Sequence, residues 1–279
     1  MPLKTILVCM TTEDHAAALM KAATGIARRT GAHVIGLHTI EALLVYPGIA
    51  MHIPGSVFSE FNASQKEEAA RIKAVFDHYT VNEDFVSEFR LLQAQSTSAS
   101  SCIIESARSA DLVIMSQEDR QADRVDHLHI QDKVIRGSGR PVLVVPQDYD
   151  GADIGNSLLL GSSVTREATR AAHDLLLLAA PDAKVCLMSI GAENKDELAD
   201  YGANAMAQTY AHHGLRATTV HREKAGKSIC DALHHEALEQ GADVIVTGAF
   251  GHSLSYDFII GAATRDLLHH ATLPVMFSK

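Results

Sequence analysis

The sequence GADVIVTG, residues 241–248, sets a glycine and an aspartate directly before an uninterrupted apolar run. A run of this kind is typical of a short strand that is buried on both faces of a parallel sheet. The sequence SADLVIMS, residues 109–116, repeats the pattern. The two aspartates, Asp111 and Asp243, lie 132 positions apart. The chain therefore contains a repeat, and its period is about one domain long.

A second pair of segments has nearly the same separation. RPVLVVP, residues 140–146, resembles LPVMFSK, residues 273–279. The segment 146–156 between the copies is rich in Asp and Gly, as expected for a linker. We therefore predict two copies of one domain, covering residues 1–148 and 154–279.

Strand and helix patterns alternate within each copy. Thr165 and Ser228 are predicted N-caps of helices in the second copy, and Gly214 is a predicted helix stop. In the first copy a longer insertion, residues 41–64, follows the second strand, and it is a candidate pocket lid or dimer contact. Five strands and four helices in alternation indicate a parallel sheet covered on both faces. Ligands bind such sheets beyond the carboxyl ends of the strands, here after strands one and four. In the second copy the strand patterns begin at Leu158, Lys184, Arg216, Asp243 and Pro274.

A glycine-rich stretch, GAFGHSLSYDFIIGAAT, follows strand four of the second copy. Gly248, Gly251 and Gly261 leave backbone N–H groups open to a bound anion. A helix predicted to begin near Gly261 would add its positive dipole end. Ser253 and Thr264 would add hydroxyl donors. This stretch is therefore a candidate phosphate site, and the alternative is that its glycines only shape a turn.

The repeat, the strand order and the glycine spacing resemble the universal stress protein family in its tandem two-domain form. The resemblance implies two doubly wound α/β domains, each a five-stranded parallel sheet of order 3-2-1-4-5 flanked by helices. In that family G-x2-G-x9-G followed by a small hydroxyl residue marks the ATP-binding members. The resemblance therefore implies that ATP, ADP or AMP binds in the C-terminal domain only, with its phosphates against Gly248, Gly251 and Gly261. Ala262 stands in the hydroxyl position here, and Thr264 is a partial replacement.

The resemblance also implies an aspartate at the end of strand one in nucleotide-binding members. Ser163 stands there in the second copy and Thr11 in the first, so neither supplies a charge. A strand-two residue near Ser189 would offer backbone groups to the base. His252, inside the glycine loop, is a candidate to contact a phosphate and assist slow hydrolysis, although a histidine in a loop is more often only a polar surface residue. The expected enzyme is at most a weak ATPase.

The first copy has no glycine in the matching loop. Ser116, Gln117, Glu118, Asp119 and Arg120 occupy it. Two carboxylates at the phosphate position would repel an anion. We therefore predict that the first copy binds no nucleotide.

Two other patterns invite different functions. AGKSIC, residues 225–230, resembles the tail of a P-loop, but His221 stands where a P-loop needs glycine, so an N-cap is the better interpretation. Asp231, His235 and Glu239 share one helix face, which is expected to be a solvated surface rather than a metal site. No metal is assigned from the sequence.

The composition limits the partners. A net charge of −10 argues against nucleic acid and anionic membranes. The N-terminal apolar run is too short for a signal peptide, and no run approaches a membrane span. Four cysteines without a C-x-x-C motif indicate a reducing, cytoplasmic setting.

Two functions remain open at this point. One is a nucleotide-binding stress-response protein with one competent site per chain. The other is a non-enzymatic scaffold that acts through protein contacts. The apolar fifth strands are liable to pair. By resemblance they would join the two domains as an internal pseudo-dimer, and whole chains are expected to form a homodimer.

Overall fold

The computed structural model describes residues 2–41, 54–94, 98–118, 129–151, 153–191, 197–223, 226, 228–251 and 257–279. The described residues form ten strands: β1 (Thr5–Cys9), β2 (His33–Glu41), β3 (Ser87–Ala94), β4 (Leu112–Ser116), β5 (Val142–Val145), β6 (Ser157–Ser162), β7 (Lys184–Gly191), β8 (Arg216–Glu223), β9 (Val244–Gly248) and β10 (Val275–Ser278). Eight α-helices lie in the same residues: α1 (Glu13–Thr30), α2 (Gly55–Thr80), α3 (Ala99–Ala107), α4 (Ile130–Gly137), α5 (Arg166–Asp174), α6 (Glu197–His212), α7 (Ile229–Gln240) and α8 (Asp257–His270).

The ten strands form one continuous sheet of order β3-β2-β1-β4-β5-β10-β9-β6-β7-β8. Each half has the predicted order 3-2-1-4-5, with parallel pairing throughout. The halves meet where β5 and β10 pair antiparallel, with Val144 opposite Val275 and Val142 opposite Phe277. The predicted pairing of the fifth strands is confirmed, and β3 and β8 are the outer strands of the sheet.

The two repeated aspartates have the same structural role. Oδ2 of Asp111 accepts hydrogen bonds from the backbone N–H groups of Lys4 and Thr5, at 2.9 and 3.0 Å. The carboxylate of Asp243 accepts three from residues 155–157, at 2.8 to 3.0 Å. Each aspartate thus ties the start of strand four to the start of strand one in its own domain. Burial raises the pKa of Asp243 against the effect of these hydrogen bonds.

Apolar residues cover both faces of the sheet. Successive side chains of a strand point to opposite faces, so Leu7 and Val8 belong to different core clusters, as do Leu159 and Leu160. One cluster includes residues of α1, α2, α5 and α6, and the other includes residues of α3, α4, α7 and α8. Both clusters contain residues from both repeats, and the two domains therefore share their cores.

The linker is held by an arginine from the N-terminal domain. Arg29, in the last turn of α1, donates to the carbonyl of Ile154 at 2.7 Å and to that of Leu178 at 2.6 Å. Burial lowers the pKa of Arg29. Gly155 lies between them with φ of 103°, and a Cβ there would be 2.0 Å from the Leu178 oxygen. This close approach explains why the linker has a glycine at that position.

Local sequence signals placed several helix ends correctly. The Thr165 hydroxyl accepts the N–H of Ala168 at 3.2 Å, and the Ser228 hydroxyl accepts that of Asp231 at 3.0 Å. Both predicted N-caps are confirmed. Of the predicted insertion, residues 55–64 form the start of α2, and residues 42–53 lie outside the described part of the chain.

Candidate functional site

A cleft lies in the C-terminal domain at the carboxyl ends of β6, β7 and β9. The cleft has a volume of about 110 Å³, is open on one side, and is bordered by α5, α7 and α8. The position is the switch point of the C-terminal half of the sheet, because β6 lies between β7 and β9 and the connections leave in opposite directions. The lining residues come from the ends of these three strands, from the loops after β6 and β9, and from α5, α7 and α8.

Four of the predicted site residues line this cleft: Ser163, Gly248, Gly251 and Thr264. Ser189 is absent from the lining of the cleft, although its strand neighbours Met188 and Ile190 belong to it. The Ser189 hydroxyl lies 2.9 Å from Nδ1 of His221 on β8. The predicted residues His252 and Ser253 lie outside the described part of the chain.

The third glycine is not where the sequence placed it. We expected a helix to begin near Gly261, but α8 begins at Asp257 and includes Gly261 in its second turn. The expectation of a helix start near Gly261 is wrong. An aspartate is favoured in the first turn of a helix because it faces the positive dipole end, which suits the earlier start.

Gly248 is required by the packing of the domain itself. A Cβ on Gly248 would lie 2.5 Å from the backbone nitrogen of Ala168 and 2.6 Å from the backbone carbon of Glu167. The end of β9 therefore approaches the first turn of α5 too closely for any side chain. This glycine has a structural reason to be present whether or not a ligand binds.

Thr264 is a buried residue that hydrogen-bonds to the glycine loop. It is 2% exposed, and its hydroxyl accepts the N–H of Phe250 at 3.3 Å. The backbone φ of Phe250 is 50°, in the left-handed region that non-glycine residues seldom adopt. Thr264 thus supports the conformation of the loop between Gly248 and Gly251.

The cleft contains a carboxylate that the sequence did not identify. Glu167, in the first turn of α5, lines the cleft with a side chain that is 5% exposed. Its Oε1 lies 3.3 Å from Nη2 of Arg166. In the sequence, Glu167 is visible only as an acidic residue two positions after the predicted N-cap Thr165. The fold is what brings its side chain to the glycine loop. Ser162 and Thr247 also line the cleft and were not predicted.

The inner wall of the cleft is apolar. Met188 and Ile190 of β7 face Ile229 and Leu233 of α7. Met188 and Leu233 are almost completely buried. An apolar wall with a few polar groups at one end is typical of a small-molecule site.

The matching loop of the N-terminal domain is arranged differently. Glu118 accepts the N–H of His129, at the start of α4, at 2.8 Å. A carboxylate of the protein itself therefore occupies the helix N-terminus, where an anion is favoured. Residues 119 and 120 lie outside the described part of the chain.

The helix face suggested as an alternative metal site is exposed. Asp231, His235 and Glu239 all lie on the surface, and His235 Nε2 is 3.3 Å from Glu239 Oε1. Within the described residues no group of three or more His, Cys, Asp or Glu residues is arranged to hold a metal ion.

Comparison with protein families agrees with this architecture. The model of the universal stress protein family matches residues 2–146 and 159–279. The chain belongs to the universal stress protein family.

Solved structures share the fold over both domains. A universal stress protein from Archaeoglobus fulgidus DSM 4304 is 15% identical, with a TM-score of 0.72, over 99% of this chain and 96% of that one. A Pseudomonas aeruginosa PAO1 protein of unknown function is 15% identical, with a TM-score of 0.58, over 99% of this chain and 92% of that one. No curated protein matches the chain significantly. In the part of the chain that the structure describes, no helix is long and apolar enough to cross a membrane.

Proposed function

We propose that the C-terminal domain of this universal stress protein binds an adenine nucleotide, ATP or its products ADP and AMP, in the cleft. The observation that carries the proposal is the convergence of Ser163, Gly248, Gly251 and Thr264 at one apolar cleft on the switch point of the sheet. In this arrangement the base contacts the apolar wall and the phosphates face the glycine loop.

The polar groups divide the cleft into two ends. Ser162 and Ser163 are available to the sugar hydroxyls. The N–H groups of Ala249 and Phe250 already donate to the Ser278 carbonyl and the Thr264 hydroxyl, so the phosphates are assigned to the backbone N–H of Gly251. Slow hydrolysis of bound ATP is part of this proposal, and Glu167 is the one carboxylate within the described lining of the cleft. The metal that would accompany the phosphates is not assigned.

A second candidate function is a scaffold that binds no nucleotide and acts through protein contacts. Two observations favour it: Gly248 is explained by packing alone, and a cleft volume of about 110 Å³ is small for a whole nucleotide. We further propose that whole chains form a homodimer in the cytoplasm. The free thiols, three of them buried, agree with a reducing compartment, and β3 and β8 offer sheet edges for pairing.

A cleft-filling variant tests the two functions. A Cβ on Gly161 would meet Thr247 Oγ1 at 3.4 Å and Leu233 Cδ2 at 3.5 Å, which is ordinary contact. The Cβ of Gly161→Val therefore clashes with no backbone atom, and its two methyl groups take up space in the cleft that Gly161 lines. Gly202→Val is the control, because nothing lies within 4 Å of its Cβ position.

Isothermal titration calorimetry with ATP gives the result. The nucleotide-binding function predicts binding by wild type and by Gly202→Val, and none by Gly161→Val. Absence of heat with ATP, ADP and AMP in wild type would exclude it and leave the scaffold. Sedimentation at micromolar concentration tests the homodimer, and a strictly monomeric chain would refute it.

A further inference from the structure

The glycine loop of the C-terminal domain contains a phenylalanine in a strained conformation. Phe250 lies between Gly248 and Gly251, which both line the cleft. Its φ is 50° and its side chain is buried, with 3% of the residue exposed. A non-glycine residue keeps such a backbone only where its surroundings hold it there.

An arginine from the other domain holds this ring. The guanidinium carbon of Arg136, on α4 of the N-terminal domain, lies 3.4 Å from the centroid of the Phe250 ring. A guanidinium over an aromatic face at this distance is a close cation–π contact. Arg136 is oriented by its own helix, because its Nε donates to Asp132 Oδ1 at 2.9 Å. Lys279 Nζ is farther from the ring, at 5.9 Å.

Two more contacts join the same parts of the domains. Gln117 donates from Nε2 to the carbonyl of Ala271, just after α8, at 3.2 Å. Glu118 Oε2 lies 3.4 Å from Nδ1 of His269, in the last turn of α8. The loop that lacks glycines in the N-terminal domain therefore contacts the helix that follows the glycine loop in the C-terminal domain.

We propose that Arg136 is a positioning residue through which the N-terminal domain sets the conformation of the glycine loop, and with it the nucleotide affinity of the C-terminal cleft. The part about affinity rests on the proposed function. Arg136 does not line the cleft, so it acts through Phe250. The N-terminal domain is then a regulatory partner of the site rather than a second site.

This coupling is reciprocal. If Arg136 stabilises the binding conformation of the loop, a bound nucleotide stabilises the placement of α4 by the same free energy. Nucleotide binding in the C-terminal domain is thereby expected to stabilise α4 on the surface of the N-terminal domain. Hydrogen exchange of α4 is expected to slow when ATP is added to the wild-type protein.

The test compares Arg136→Gln with Arg108→Gln. Both arginines belong to the N-terminal domain and pair with an acidic residue nearby, Asp132 and Glu105 respectively. Arg136→Gln is expected to weaken ATP binding roughly five-fold, the usual size of one cation–π contact. Arg108→Gln is expected to bind as wild type does. In a Phe250→Leu background the Arg136→Gln change is expected to have no further effect.

Hydrogen exchange of residues 244–251 in the nucleotide-free protein gives a second readout. Arg136→Gln is expected to accelerate exchange there and to lower the melting temperature by no more than about 2–4 °C. Unchanged exchange and unchanged ATP affinity in Arg136→Gln would overturn the proposal. If wild type binds no nucleotide, the proposed function fails, and accelerated exchange would still support the role of Arg136 in the loop while unchanged exchange would refute it.

Discussion

Oε2 of Glu167 lies 3.1 Å from the point that a Cβ on Gly251 would occupy. A buried carboxylate therefore borders the loop to which we assign the phosphates. Like charges about 4 Å apart repel by about 1 kcal/mol even in bulk water, and more strongly near a protein surface, unless a cation lies between them. Glu167 is therefore expected to oppose ATP binding when no divalent cation is present.

Glu167→Gln removes this charge and keeps the shape of the side chain. We expect it to bind ATP roughly five-fold more tightly than wild type in the presence of a chelator, and to lose most of that gain when magnesium is added. Calorimetry under the two conditions measures both effects. Asp14→Asn, an exposed acid in the first turn of α1, is the control and should leave affinity unchanged. Equal affinities of wild type and Glu167→Gln in chelator would contradict this role.

Gly248→Ala is expected to destabilise the protein by about 1–3 kcal/mol, because its Cβ would overlap the backbone of Ala168 and Glu167. Urea denaturation measures the free energy of unfolding. Gly202→Ala, on the open side of α6, is the matched control and should stabilise slightly, since alanine is the better helix residue. If Gly248→Ala were as stable as wild type, α5 would have to shift to accommodate the added Cβ at little cost in free energy.

His234 is expected to make the free energy of unfolding decrease as the pH falls. Burial lowers its pKa from the usual 6.5, assisted by His270 and opposed by Asp231. The folded state then favours the neutral imidazole, so stability is full above the unfolded pKa. It falls as the pH drops from about 6.5 towards the lowered value.

His234→Gln should therefore lose less stability than wild type between about pH 7.5 and about pH 5.5, in urea denaturation at each pH. His235→Gln is the control, because His235 is the exposed neighbour on the same helix. It should keep the wild-type dependence. If the free energy of unfolding changed with pH identically in wild type and in His234→Gln, the proposed role of His234 would be contradicted.

The shared sheet predicts that the two domains unfold together. Phe277 of β10 is fully buried and lies opposite Val142 of β5. Phe277→Ala is expected to lower the free energy of unfolding by about 3–5 kcal/mol. It should accelerate hydrogen exchange in β4 and β5 as well as in β9 and β10. Exchange that accelerates in the C-terminal strands alone would show that the domains unfold independently.

Most of the fold was predictable because its signals are local or repeated. The apolar strands, the caps at Thr165 and Ser228, and the repeat that carries Asp111 and Asp243 are all visible in the sequence. The apolar fifth strands marked an edge that is liable to pair, and the family resemblance implied that β5 pairs with β10. Each of these features depends on residues that are close in sequence or on the same pattern occurring twice.

The features missed from the sequence depend on contacts between distant segments. Glu167 reaches the glycine loop only because α5 packs against the end of β9. The contact between Arg136 and Phe250 joins residues of different domains, and no sequence pattern marks it. The close approach behind Gly248 is equally invisible, so the sequence left open whether its glycine serves a ligand or the backbone, and packing is sufficient to explain it.

The central claim is one adenine nucleotide site per chain, in the C-terminal domain. The most direct test is to purify the protein without added nucleotide, saturate it with ATP, remove the excess, denature it, and quantify the released nucleotide by chromatography. Our account predicts close to one nucleotide per chain in wild type and none in Gly161→Val. No nucleotide in wild type, or two per chain, would contradict it.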